Sequence, residues 1–188
     1  MKKIISIVSL ACLACWLLLL CGCEKNASDA SFGDPKVFMP QAQIAALRYN
    51  VPNTGIGLDS VTKNFQLTAD SVKIILGIAR SGTEKSSGFS ADVYADTDTV
   101  NQLIATGIFP AASSILLPTD SYTLPTKVNV SEGTAGATFY LTINRAKLKS
   151  FAGKTMLLAV GVKNPTAYSL NTAINKVIVV INVTALNL

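Results

Sequence analysis

The sequence predicts an all-β protein, an antiparallel β-sandwich that carries one or two short helical insertions. Apolar residues recur at every second position in short runs, which is the period of a half-buried strand. Gly, Pro, Asn, Asp and Ser separate the runs, as turn residues separate neighbouring antiparallel strands. Residues 36–188 are enough for one domain with its own core.

Two runs in the middle of the chain show the alternation most clearly. The run at residues 71–80 places four aliphatic side chains on one face: Val72, Ile74, Leu76 and Ile78. The run at residues 89–95 alternates an apolar face with a polar one that carries Ser90, Asp92 and Tyr94. A later run, residues 177–183, is apolar on both faces except at Asn182, which predicts a central strand covered on both sides.

Two segments predict helices instead. In residues 96–107, Asp96 or Thr97 is placed to cap a helix and Gly107 to end it. The apolar stripe of this helix is Val100, Leu103 and Ile104. A shorter segment has the same design, with Asn144 as the cap and Gly153 as the end.

The N-terminus has the layout of a secretory signal, with basic Lys2 and Lys3 followed by an apolar stretch. Leu20-Cys21-Gly22-Cys23 resembles the lipobox of bacterial lipoproteins, in which the peptidase cuts before an acylated cysteine. We therefore predict a signal peptide at residues 1–22 and lipid attachment at Cys23. An uncleaved membrane anchor and a freely secreted protein are the alternatives. Residues 23–35 are polar and rich in small side chains, and they predict a flexible tether between the lipid and a domain at residues 36–188.

Removal of the predicted signal peptide changes the net charge, and the net charge is what we use to infer the class of partner. Without Lys2 and Lys3 the chain has 14 basic and 11 acidic residues, a net charge of +3 instead of +5. That balance does not predict a nucleic-acid partner, which needs clustered positive charge. The nearest cluster is interpreted as the solvated face of a short helix, with a phosphate or anionic-glycan contact as the alternative: Arg145, Lys147, Lys149 and Lys154.

The sequence offers little for catalysis. It contains no histidine, and Cys23 is the one cysteine left after processing, so imidazole bases and free thiolates are missing. Ser60 and Lys63 match the spacing S-x-x-K, but the companion motifs of that chemistry are absent. Asp92, Asp96 and Asp98 could attract calcium, although helix capping explains them as well. We predict no enzyme, no metal and no cofactor.

Tyrosines are the remaining candidates for ligand contact, because sugar rings stack on aromatic faces. Tyr94 and Tyr140 lie on the polar side of their predicted strands and are the candidates for sugar contact. The alternative is that both are half-buried packing residues.

Six short motifs occur in one order along the chain: KVFMPQA, LGIARSG, FSADVYADTDTVNQL, ILLPTDSYTLP, VNVSEGTAGATFYLTI and NTAINKVIVVINV. Together they resemble the N-terminal domain of unknown function found in Bacteroidetes surface lipoproteins, over essentially Lys36 to Val183. In that family the domain often precedes a laminin-G-like carbohydrate-binding domain or a family-18 glycosidase-like domain. The resemblance implies an immunoglobulin-like sandwich, display at the cell surface and a role beside glycan capture, and it supplies no catalytic residues.

Three tripeptides fit the Asp-Ser/Thr-aliphatic acceptor pattern of O-glycosylation in Bacteroidetes, with Ser60, Ser71 and Thr99 as the acceptors. Turn and cap chemistry also favours Asp beside Ser or Thr, so it is the alternative explanation.

These observations predict a non-catalytic, lipid-anchored accessory domain on the outer membrane. The domain would bind or present a ligand during polysaccharide capture. Its partners would be the membrane through the lipid, and a glycan or outer-membrane glycan-uptake proteins. No carbohydrate-binding domain follows Leu188 in this sequence. For this reason we expect the domain to have a supporting role in polysaccharide capture rather than to bind glycan directly. A structural adhesin or pilin-like subunit is the first alternative, and a glycoside hydrolase acting through paired carboxylates is the second.

Overall fold

The computed structural model describes residues 33–43, 47–53, 64–82 and 87–188. Residues Asp34–Leu188 form one compact unit. The predicted signal peptide, Cys23, most of the predicted tether and the Ser60–Lys63 segment lie outside the described residues.

The described strands form two six-stranded sheets, which confirms the predicted all-β sandwich. The first sheet has the order β11-β1-β4-β9-β7, with β3 beside β4. Its strands are β1 (Lys36–Phe38), β3 (Phe65–Leu67), β4 (Ser71–Arg80), β7 (Tyr122–Thr123), β9 (Gly136–Asn144) and β11 (Ser169–Leu170).

The second sheet has the order β2-β12-β10-β5-β8, with β6 beside β10. Its strands are β2 (Arg48–Val51), β5 (Phe89–Ala95), β6 (Ser114–Leu116), β8 (Lys127–Val130), β10 (Thr155–Lys163) and β12 (Lys176–Asn182). β12 lies between β2 and β10, as the apolar run at residues 177–183 predicts.

The pairing is not purely antiparallel. The long pairs β4–β9 and β10–β12 are antiparallel, but three pairs that involve short strands are parallel: β1 with β11, β6 with β10, and β2 with β12. Each parallel pair joins strands far apart in sequence, so no tight turn forces the second strand to run back along the first. An alternating pattern shows which face of a strand is buried, and it carries no information about the direction of the partner.

Both predicted helices form. Helix α1 (Thr97–Ala105) is capped by Asp96, whose side chain accepts a hydrogen bond of 3.0 Å from the Thr99 N–H. Gly107 follows it in the left-handed conformation, with φ of 75°. Helix α2 (Arg145–Lys149) is capped by Asn144, which accepts from the Lys147 N–H at 2.9 Å. Short 3-10 helices occur at Pro40–Gln43, Thr119–Ser121 and Thr184–Leu186.

Two apolar cores stabilise the domain. The larger lies between the sheets and contains the predicted inward faces of β4 and β5. The smaller lies on the outer face of the second sheet, where α1 covers it: Val100, Phe109, Leu157, Ala159 and Ile178. β10 contributes to both cores, because Leu158 and Val160 point between the sheets and Leu157 and Ala159 point toward α1.

Within the described part of the chain, no helix has the length and apolar character needed to cross a membrane.

Candidate functional site: the outer face of the second sheet

Tyr94 lies on the outer face of the second sheet, as its position in the alternating run predicts. Gly161 of β10 is its neighbour in the sheet, and Lys176 of β12 is the next residue in the same row. A Cβ atom at Gly161 would lie 2.6 Å from the Tyr94 Cζ and 2.7 Å from its hydroxyl oxygen. The Tyr94 ring therefore leans across the backbone of β10 into space that exists because residue 161 is a glycine.

Polar groups lie in the next row on the same face as Tyr94, where Asp92 pairs with Lys163 of β10 and with Lys127 of β8. The Lys163 Nζ lies 5.2 Å from the centroid of the Tyr94 ring, within range of a cation–π interaction. The Asn164 side-chain amide donates a 3.0 Å hydrogen bond to Asp92, and the Lys127 Nζ lies 3.8 Å from the other carboxylate oxygen of Asp92. An aromatic ring beside amide, carboxylate and ammonium groups can stack on a sugar and bond its hydroxyls. We call these residues the Tyr94 surface: Asp92, Tyr94, Lys127, Gly161, Lys163 and Asn164.

Tyr140 lies elsewhere. It is on β9 of the first sheet, paired with Ile75 of β4, and 38% of its surface is exposed. The two tyrosines that the sequence offers for sugar contact are therefore on different sheets, and the structure does not bring them into one site.

A groove opens on the same face as the Tyr94 surface, between α1 and the edge of the second sheet. Its volume is about 310 Å³. Its described lining is Leu47, Arg48, Thr99, Leu103, Ile108, Phe109, Lys176 and Ile178. Lys176 borders the groove and also continues the row through Tyr94 and Gly161, so the two features adjoin.

Lys176 is held by the cap of α1. Its Nζ donates to Asp96 Oδ2 at 2.7 Å and to the Thr99 hydroxyl at 2.8 Å. The Thr99 hydroxyl in turn donates to Asp96 Oδ2 at 2.7 Å. The hydrogen bond from Lys176, followed by that from the Thr99 backbone, lowers the pKa of Asp96 from 3.8 to about 2. Asp96 is therefore ionised at neutral pH and balances the charge of Lys176.

Arg48 contacts an aromatic ring at the border of the groove. Its guanidinium carbon lies 4.6 Å from the centroid of the Phe109 ring, as in a cation–π pair. None of the ion pairs among the described residues includes Arg48. The groove thus has at its border one cation that is balanced by a carboxylate and a second, Arg48, that has no ion pair in the described part of the chain.

Two of the three aspartates considered for calcium serve other purposes, and the third, Asp98, lies in the first turn of α1. Asp92 bonds Asn164, and Asp96 caps α1 and pairs with Lys176. The part of the chain that the structure describes has no group of three acidic, histidine or cysteine side chains arranged for a metal ion.

The basic cluster at residues 145–154 makes local bonds. Lys147 pairs with Asp120, the Arg145 guanidinium donates to the Thr68 carbonyl, and the Lys154 ammonium donates to the Ala112 carbonyl. These contacts spread the cations over different neighbours and agree with a solvated face.

The candidate O-glycosylation sites remain predictions. The Ser71 and Thr68 hydroxyls are 2.8 Å apart, and the Thr99 hydroxyl is bonded to Asp96. Both acceptors are half-buried, and Ser60 lies outside the described residues.

The comparison with protein families identifies the chain. A family model that describes an N-terminal domain matches residues 39–169. The chain belongs to this N-terminal-domain family. The match confirms the family resemblance that the ordered motifs carry. Among curated proteins, no match was found.

Two solved structures are similar to this N-terminal-domain protein. One is a "putative carbohydrate binding protein" from Bacteroides ovatus, with a TM-score of 0.50, 14% identity and 78% of our chain covered. Another is a two-domain protein of unknown function from Bacteroides fragilis, with a TM-score of 0.48, 9% identity and 79% of our chain covered. Our chain spans 36% and 45% of the length of these two chains, respectively.

Two features of the site escaped the sequence analysis. The groove is built from segments around residues 48, 103 and 177, which no local pattern connects. Gly161 could have been found, because a glycine inside an otherwise apolar strand is a sign of a close approach.

Proposed function

We propose that the protein is a non-catalytic, lipid-anchored accessory domain of polysaccharide capture, and that it contacts glycan through the Tyr94 surface. The observation that carries the proposal is the Tyr94 ring lying across Gly161 with hydrogen-bonding groups beside it. The description of the Bacteroides ovatus neighbour as a carbohydrate binder supports the same class of ligand.

Two carboxylates of the described residues, Asp96 and Asp120, do not suit the role of proton donor in glycoside hydrolysis. A hydrolase that uses two carboxylates needs one of them protonated at working pH, through a raised pKa. Lys176 and Lys147 instead lower the pKa of Asp96 and Asp120, respectively. A carboxylate with a lowered pKa is a poor proton donor at neutral pH.

The proposed location is the outer membrane, with the lipid on Cys23 and residues 23–35 as the tether. Glycan-uptake proteins of that membrane are the proposed protein partners. A domain held on a tether can present the Tyr94 surface to soluble polysaccharide beside such a partner.

The proposal is tested by the retention of the full chain, held in lipid nanodiscs, on a panel of immobilised polysaccharides. Tyr94→Ala should lower the affinity for a retained polysaccharide about tenfold, because an aromatic stacking contact contributes up to ~1.5 kcal/mol. Tyr140→Ala is the matched control, since it removes an exposed strand tyrosine from the other sheet, and it should bind like the wild type. Equal binding by wild type and Tyr94→Ala, or no retention on any polysaccharide, would contradict the proposal.

The adhesin alternative depends on a free sheet edge that could pair with another subunit. β8 is an edge of the second sheet, and its outward positions are Lys127 and Asn129. Polar and charged residues on an edge strand oppose pairing between chains. A polymer ladder on a non-denaturing gel would nevertheless favour the adhesin.

A further inference from the structure

We infer that the groove beside α1 binds a small apolar monocarboxylate, a molecule with about ten non-hydrogen atoms that places its carboxylate on Arg48. This site is separate from glycan contact at Tyr94, and the inference does not depend on the proposed function.

The groove walls favour an apolar chain. Leu103 and Ile108 come from α1 and the turn after it, and Ile178 from β12. Ile108 is 50% exposed although it is a large aliphatic residue. A ligand that covered it would remove apolar surface from water, which is favourable in proportion to the area buried.

The charges favour one negative group on the ligand. Lys176 already bonds Asp96 and Thr99, so its positive charge is balanced. Arg48 has no ion-pair partner in the described part of the chain, and its guanidinium stacks on Phe109 at the groove. A stacked guanidinium keeps its planar set of donors, which matches the two oxygens of a carboxylate. A cation that has no ion pair among the described residues, placed beside an apolar space, is complementary to a molecule with one anionic end and an apolar body.

The volume limits the size of the ligand. An apolar cavity of about 150 Å³ binds benzene, which has six non-hydrogen atoms, so a groove of about 310 Å³ has room for a molecule with about ten. Octanoate, with eight carbons and two oxygens, has that number of non-hydrogen atoms and serves as the probe.

The experiment follows isoleucine methyl groups by NMR in the full chain reconstituted in nanodiscs. Ile108 and Ile178 line the groove, whereas Ile74 is buried between the sheets. Octanoate should shift the Ile108 and Ile178 signals saturably, with a Kd in the millimolar range or tighter, and should leave Ile74 unchanged. Each methylene removed from the probe should weaken binding about fourfold, which corresponds to ~0.8 kcal/mol.

Variants test the role of the charge. Arg48→Met keeps a long apolar side chain and should weaken octanoate binding about tenfold or more, since it removes a charged hydrogen bond. Octanol should bind the wild type more weakly than octanoate for the same reason. Arg145→Met is the matched control, because it removes a guanidinium that bonds the Thr68 carbonyl away from the groove. An unchanged Ile74 signal in Arg48→Met shows that the variant is folded.

Three results would overturn the inference. The first is that the Ile108 and Ile178 signals do not shift at tens of millimolar octanoate. The second is that octanoate binds the wild type and Arg48→Met with equal affinity. The third is that octanol binds the wild type as tightly as octanoate does. Ile108→Asn gives a second check that does not involve the charge: at this exposed position it should weaken octanoate binding in a folded protein.

Discussion

Residue 161 is a glycine, and the Tyr94 ring fills the space that a side chain would occupy there. The alternating pattern predicts that Tyr94 faces outward, and the structure agrees. The direction in which the ring leans could not be predicted, because it depends on the residue opposite in β10, which is 67 positions further along the chain. Strand pairing brings Tyr94 and Gly161 together, and no single strand pattern specifies which strands pair.

Gly161→Ala should lower glycan affinity as much as Tyr94→Ala does, about tenfold, because the added Cβ would push the ring off β10. The double variant should lose no more than either single one, since both remove the same surface. Affinity for a retained polysaccharide is the measurement. Gly77→Ala, in β4, is the control, because its nearest atom would lie 3.4 Å from the new Cβ. Losses that add in the double variant would show that the two residues act separately.

Helix α1 is joined to the second sheet through Asp96, the residue that caps the start of the helix. Asp96 and Asn144 were both recognisable as helix caps, since the sequence around each has the composition of a helix start. The ion pair from Asp96 to Lys176 spans 80 positions and was not predictable. It forms because Gly161 and Lys176 pair across the sheet and bring β12 beside the start of α1.

Asp96→Asn should lower the free energy of unfolding by about 1 kcal/mol at neutral pH, a value reduced for the partial exposure of the pair. Asparagine still caps the helix, so the loss reports the ion pair. The pKa of Asp96 is about 2 in the folded protein against 3.8 ordinarily, so this contribution is complete above about pH 4 and is lost as the pH falls to about 2.

Urea unfolding of the wild type and Asp96→Asn at several pH values measures this dependence. The difference between the two proteins should be constant from pH 7 to about pH 5 and should shrink as the pH falls from about 4 toward 2. Lys176→Met should remove the same pH dependence by deleting the other partner. A difference that grows on acidification would contradict the assignment.

For the whole molecule, the sequence predicts the sandwich because the long strands alternate in composition and their turns are clear. The short strands β1, β2, β6 and β11 have two to four residues each, too few for a period to show. Each parallel pair contains at least one of these four strands, so every pairing that a purely antiparallel prediction missed involves a strand without a pattern.

The proposed lipid anchoring also belongs to the scale of the whole molecule, and its test is chemical. The wild type grown with labelled palmitate should incorporate the label and lose the mass of residues 1–22, whereas Cys23→Ala should do neither. Cys21→Ala is the matched control and should still be labelled and cleaved. Label on Cys23→Ala, or its loss from Cys21→Ala, would contradict lipid attachment at Cys23.

The parallel pairs β2–β12 and β1–β11 join strands that are far apart along the chain, and this has a consequence for synthesis. Arg48 pairs with Ile178 and Lys36 with Ser169, so strands made early hydrogen-bond to strands made more than a hundred residues later. A growing chain cannot complete either sheet until residues 169–182 have left the ribosome, and such distant pairings form slowly. The delay would keep the polypeptide unfolded, which is the state that the proposed export to the outer membrane requires.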